Sequence, residues 1–174
     1  MHLVLLTEIA DALERALPPE QGLQLSLQIM ARHLPMKRAF IALTEPEEQD
    51  ISIRASLGLS SAEQARGHYL PGEGVTGSVI ASGRPEIVPD ISDSSRFLNR
   101  TRSRNLKREH AAFLCVPIRL DDQVIGALAV DRRMGIKEAL DDQARLLVII
   151  ASMLAHTASE CRSRPHTPHR ALPR

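Results

Sequence analysis

The segment Ala111-Ala-Phe-Leu-Cys115-Val-Pro-Ile-Arg-Leu120-Asp121-Asp122-Gln123-Val-Ile-Gly-Ala-Leu-Ala-Val130-Asp131 decides the fold. Its two apolar runs, 111–119 and 123–131, are joined by the tight Asp121-Asp122 turn, which predicts an antiparallel pair of strands. Upstream, residues 37–44 and 51–57 read as a second hairpin around the charged turn Glu45 to Asp50. A short strand is expected over Glu86–Val88. Hairpins at both ends imply an antiparallel sheet with helices packed on it.

The helices follow from apolar spacing. Residues 3–17 carry Leu6, Ile9, Leu13 and Leu17 three and four apart, and Pro18-Pro19 ends that helix. A second begins at Pro19 or Glu20, buries Leu23, Leu27, Met30 and Leu34, and closes at Pro35. Ser60 with Glu63 makes a capping-box pattern opening a short helix over 61–67. Pro71-Gly72 suits a type II turn, followed by a helix to about Ala81 that stops at Gly83. The last helix spans 138–161. Its stripes Leu146/Ile149/Met153 and Leu147/Ile150/Leu154 make an apolar arc too wide for one buried face. One side can face the sheet and the other an N-terminal helix or a second copy, which favours a homodimer through the terminal helices. The order is α-α-β-β-α-(β)-α-β-loop-β-β-α: an α+β domain over residues 1–161, then a linker or disordered tail over 162–174 with Pro165, Pro168 and Pro173.

Composition narrows the function. The 174 residues hold 22 Lys and Arg against 21 Asp and Glu, a net charge of +1. That balance argues against a dedicated nucleic-acid or anionic-membrane binder. Three Phe, one Tyr and no Trp argue against a base-stacking platform or a cation cage, both of which need several rings. Two cysteines without a CxxC make neither a zinc site nor a disulfide scaffold. The N-terminus lacks the basic region of a signal peptide, and no uncharged run approaches the roughly 18–20 residues of a membrane span. A cytoplasmic protein is expected.

GxSxG, HExxH and GxxxxGK[ST] are absent and the seven His are scattered, so catalysis is not expected and no cofactor signature stands out. Gly72 to Gly77 can present the backbone N–H groups of Gly74, Val75 and Thr76 to a carboxylate or phosphate at a helix N-terminus. Those glycines can equally just make the turn and a close helix contact. Six basic residues lie between Arg96 and Arg108. They read either as a solvated loop or as a lid whose Arg forks grip a small carboxylate. Arg96, Asn99 and Arg100 are the foremost candidates, with Phe97 and Leu98 anchoring the lid. Phe113 and Cys115 share one strand face beside that site. Cys115 is either an inert buried thiol or, with the Asp90/Asp93 pair and Asp131, a ligand of a mononuclear iron.

The runs Tyr69 to Asp90, Phe113 to Ile118 and Val124 to Asp131 resemble a GAF domain over about residues 3–160. The added Arg96-Phe-Leu-Asn-Arg-Thr101 is similar to the N-terminal GAF domain of NifA-type nitrogen-fixation activators. The resemblance implies an antiparallel sheet with a ligand pocket on one face and terminal helices on the other, often used for dimerisation. It also implies a regulatory input to a sigma-54-dependent ATPase and a DNA-binding domain, responding to 2-oxoglutarate or to a partner such as NifL or a PII-type protein. No Walker A or helix-turn-helix pattern is read in this sequence, so neither ATP hydrolysis nor promoter binding is expected of it. A related activator family senses nitric oxide through GAF-bound iron; Phe113 stands where its pattern would supply His. The expected ligand is a small anionic metabolite, 2-oxoglutarate first, held by the backbone of Gly74 to Thr76 and an arginine between Arg96 and Arg104. An iron-based gas or redox sensor and a ligand-free interaction module are the alternatives.

Overall fold

The computed structural model describes residues 2–47, 49–105, 109–135 and 139–164. Helices α1 (His2–Glu14) and α2 (Pro19–His33) lead into strands β1 (Met36–Thr44) and β2 (Ile51–Leu57). Then come α3 (Ser61–Ala65), β3 (His68–Tyr69), α4 (Gly74–Ser82) and β4 (Glu86–Val88). A single 3-10 turn at Ile91–Asp93, β5 (Ala111–Leu120), β6 (Gln123–Arg133) and α5 (Leu140–Arg162) complete the chain. The strands form one antiparallel sheet in the order β3-β2-β1-β6-β5-β4. Pairing of β1 with β6 sets the two expected hairpins side by side. The β5–β6 turn is tight because Asp121 and Asp122 both take left-handed backbone, φ 49° and 65°, as a two-residue hairpin that follows the strand twist requires.

Both faces of the sheet are covered. Ile41 and Leu43 of β1, Leu114, Val116 and Ile118 of β5, and Leu128 and Val130 of β6 join the core under the terminal helices. Phe40, Ala42, Phe113, Cys115, Ala127 and Ala129 point into a second core with α4. A strand buried on both faces needs no polar alternation, so 111–119 and 123–131 read as continuous apolar runs. Helix α5 packs on β5 and β6 and against α1 and α2, placing the terminal helices together on one face. By length and a mean hydropathy of 1.3 it could cross a membrane, but half of that stretch is buried inside the protein.

Two expectations change in detail, and one buried cation was not expected. Helix α1 ends at Glu14, and Leu17 is 39% exposed, because Pro18 bars helical backbone from the residue before it. The apolar arc of α5 is narrower than its sequence: Leu147, Ile150 and Leu154 are fully buried, whereas Val148 and Ile149 are 41% and 49% exposed. Its second buried side faces α1 and α2 within the same chain. Arg54, in an apolar strand, is buried and donates to the Cys161 and Arg164 carbonyls (3.0 and 3.3 Å) while pairing with Glu20 and Glu45. A cation at those orphan carbonyls fixes the end of α5 to β2. Of the expected linker, residues 165–174 lie outside the described residues, as does Glu138 of the expected last helix.

Candidate functional site

The second core encloses a pocket. Phe40 comes from β1, Tyr69 from β3, Val75 and Thr76 from the first turn of α4, and Phe113 from β5; Phe97, Leu98 and Arg104 close it from the β4–β5 connection. The local sequence explains the placement. Pro71-Gly72 forms the expected type II turn, with Gly72 at φ 81° and Glu73 N–H bonded to the Leu70 carbonyl at 3.0 Å. This turn aims the start of α4 at the sheet. Gly77 then passes so near the turn that an added Cβ would lie 2.3 Å from the Leu70 oxygen, so close contact alone explains that glycine.

All four aromatic residues of the chain meet here. Phe40 lies 6.3 Å from both Tyr69 and Phe113, and Phe97 meets Phe113 edge-on at 4.9 Å. The few rings are gathered at one place rather than spread through the core. The chain's own Arg104 guanidinium stands 5.0 Å from Phe97 and 5.7 Å from Phe113, within cation–π range. The remaining free space is about 10 Å³, on the order of one water.

Arg104 is held by a fork. Its Nε donates to Asp131 Oδ2 at 2.6 Å and its Nη2 to Oδ1 at 2.8 Å, with neither side chain accessible to any extent that matters. Asp131 also accepts from Arg38 at 3.0 Å, and Arg38 in turn pairs with Glu109 and donates to the Ser103 carbonyl. Lys37 completes the network on Glu109 at 2.9 Å. The Arg38 hydrogen bond, followed by that from Lys37, pulls the Glu109 carboxyl from an ordinary 4.5 to about 2. Its ionised form stabilises the fold, so that contribution is whole above pH 4.5 and lost as pH falls towards 2. Denaturant midpoints measured across this window are expected to fall with pH, and Glu109→Gln to flatten the slope; an unchanged slope would remove Glu109 from the acid response.

The other expected site residues divide into those that reach the pocket and those that do not. Val75, Thr76 and Phe113 line it, and Gly74 carries Leu98 against it. Cys115 is fully buried beside Thr76, and burial pushes its thiol well above the ordinary range, which leaves it a poor nucleophile or metal ligand. Arg96 stands at the surface, 60% exposed, on Glu86 and Ser78. Arg100 pairs with Glu73. Asn99 donates to the Arg104 carbonyl at 2.6 Å and so braces the segment from within.

The iron constellation is not assembled. Among the described residues no three His, Cys, Asp or Glu side chains stand close enough to hold a metal. Asp90 is spent on Ser92 and on His110, 2.9 Å away, and His110 foremost lowers its carboxyl to about 2. Asp131 is spent on two guanidinium groups, and Cys115 pairs in register with Ala129 rather than Asp131. Arg38 and Glu109 were missed in the sequence, and no spacing marks them. Asp131 offered one usable signal: an acid ending an apolar strand on the Ala127/Ala129 face needs a buried cation.

Comparison with known proteins agrees with this geometry. A family model described as GAF domain matches residues 18–157. The nitrogen fixation protein AnfA of Azotobacter vinelandii is 38% identical over 135 residues, covering 77% of this chain and 25% of that protein. A Nif-specific regulatory protein of Herbaspirillum seropedicae is 30% identical over 165 residues, covering 94% of this chain and 30% of that protein. The chain thus spans between a quarter and a third of the length of the curated relatives it matches. Among solved structures, the GAF domain of A. aeolicus nlh2 in an inactive state superposes with a TM-score of 0.78 at 24% identity, over 91% of this chain and 95% of that one. At that identity the likeness speaks for the fold alone. With a two-faced antiparallel sheet, a ring-lined pocket under α4 and this match over most of its length, the chain belongs to the GAF domain family.

Proposed function

We propose that this domain is the sensory input of a NifA-type transcriptional activator of nitrogen-fixation genes, and that its pocket binds a small anionic metabolite, 2-oxoglutarate first. The observation that carries the reading is Arg104. A planar fork inside a ring-lined pocket is the side chain best suited to a carboxylate. Among the described residues, the bonded network sets three cations, Lys37, Arg38 and Arg104, against two carboxylates, Asp131 and Glu109. One further carboxylate would neutralise it. Arg104 therefore takes the part first given to Arg96 and Arg100, while the start of α4 at Gly74 to Thr76 offers backbone N–H groups.

Titration calorimetry on the purified chain tests the ligand. One 2-oxoglutarate per chain is expected, with binding weakened by about 1.5–3 kcal/mol in Arg104→Lys, which keeps the charge and loses the fork. No heat from the wild-type chain would end the 2-oxoglutarate assignment. In this reading ATP hydrolysis and promoter binding belong to other parts of such activators, in the cytoplasm, and NifL or a PII-type protein is a candidate partner. The terminal helices expose Leu3, Val4, Val148 and Ile149, which supports a homodimer through them. Native mass spectrometry reads copy number, metal and retained ligand together, and a strictly monomeric mass at micromolar concentration would remove the dimer.

A further inference from the structure

The segment from Phe97 to Arg104 fills the pocket it crosses. Leu98 lies against Gly74, where an added Cβ would come within 2.8 Å of its side chain. Arg66, capping α3, donates twice to the Thr101 carbonyl at 3.0 and 2.7 Å. Phe97 rests edge-on against Phe113, and Arg104 closes the far end through its fork on Asp131. Arg102, in the same segment, holds a left-handed φ of 55°, unusual for a residue with a Cβ. While these fasteners hold, the roughly 10 Å³ left admits nothing beyond a water. A dicarboxylate cannot enter such a pocket without moving the segment.

Asp131 can release Arg104 without becoming an orphan. It keeps the Arg38 hydrogen bond at 3.0 Å, and Arg38 is itself fixed by Glu109 and the Ser103 carbonyl. Among the described residues Arg104 has no second carboxylate; its other hydrogen bond goes to the Thr101 hydroxyl at 3.3 Å. The bond to Asp131 is thus the one that can be exchanged at least cost, because neither partner is left as an uncompensated buried charge if an incoming carboxylate replaces it.

We propose that Asp131 is an internal counter-ion that straps Phe97–Arg104 across the pocket, and that a ligand carboxylate binds by taking Arg104 from it. The second half rests on the anion reading above; the first does not. Closure then competes with binding, and the apparent affinity is reduced by the fraction of chains in which the strap is closed.

Hydrogen exchange at the amides of residues 97–105, with 2-oxoglutarate titrated in parallel, tests both halves. In Asp131→Asn the strap amides are expected to exchange about tenfold faster than in the wild type, while those of β1, β5 and β6 stay protected. 2-Oxoglutarate is expected to bind this variant about tenfold more tightly, since Arg104 is no longer held by a full charge. Faster strap exchange with no 2-oxoglutarate binding to either protein leaves the strap standing and ends the ligand reading. Unchanged strap exchange overturns the strap whatever the ligand does. A faster strap with weaker binding than the wild type makes Asp131 part of the ligand site and overturns the exchange of carboxylates. If Asp131→Asn does not fold, Arg104→Lys carries the exchange measurement, and an unchanged strap there overturns the proposal equally.

Discussion

Replacing Asp131 by alanine is expected to lower the unfolding free energy by about 3–5 kcal/mol, the usual cost of stripping one partner from a buried ion pair. Asp131 has no accessible side-chain surface, and its two oxygens accept from Arg104 twice and Arg38 once. Without it, Arg104 keeps, among the described residues, the Thr101 hydroxyl and two ring faces, which do not neutralise a charge. Arg38 keeps Glu109, so most of the damage falls on Arg104. Asp131→Asn retains an acceptor and is expected to cost less. Urea unfolding followed by two probes measures both, and a loss under about 1 kcal/mol for alanine would show that water reaches Arg104 freely. A further variant separates charge from shape. Replacing Asp131 and Arg104 together by apolar residues should recover much of the loss, because no unpaired charge then remains.

The fold was legible because its signals are local. Hairpin spacing, the capping box at Ser60–Glu63, the Pro71-Gly72 turn and the stop at Gly83 each depend on residues within seven positions, and each stands where it was expected. The capping box is complete in both directions, Ser60 N–H to Glu63 at 2.7 Å and Glu63 N–H to Ser60 at 3.2 Å. The face on which α5 is exposed was less legible, since apolar residues at a surface carry no mark in the sequence.

The site was legible only in part, for a reason of distance. Arg38 and Asp131 are 93 positions apart, Arg38 and Glu109 71. Such pairs are made by strand order, and strand order is set by β1 pairing with β6. The basic run from Arg96 reads equally as a solvated loop or as a lid, and which of its arginines turns inward depends on how the segment leads back to β5. Arg104 is buried because Asp131 stands opposite it; Arg96 and Arg100 find Glu86 and Glu73 outside first. Within one run of like charges the acids decide, and those acids come from other parts of the chain.

Phe113→Ala should be the costliest apolar truncation on the pocket face, at about 3–5 kcal/mol. Phe113 is 2% exposed, and it is the ring that joins the others: Phe40 at 6.3 Å on one side, Phe97 at 4.9 Å on the other, Arg104 at 5.7 Å. Aromatic pairs add about 0.5–1.5 kcal/mol beyond the area they bury, and this ring makes two. Its position in β5, paired in register with Asp131 and Val88, lets the surroundings collapse little, so the cavity term stays large. Phe97→Ala is expected to cost less, because Phe97 belongs to a connection that can settle into the gap rather than to a central strand. Chemical denaturation of the two variants side by side checks the order. Equal losses would mean that the segment over the pocket is as rigid as the sheet beneath it, and a strap that cannot yield could not admit a ligand.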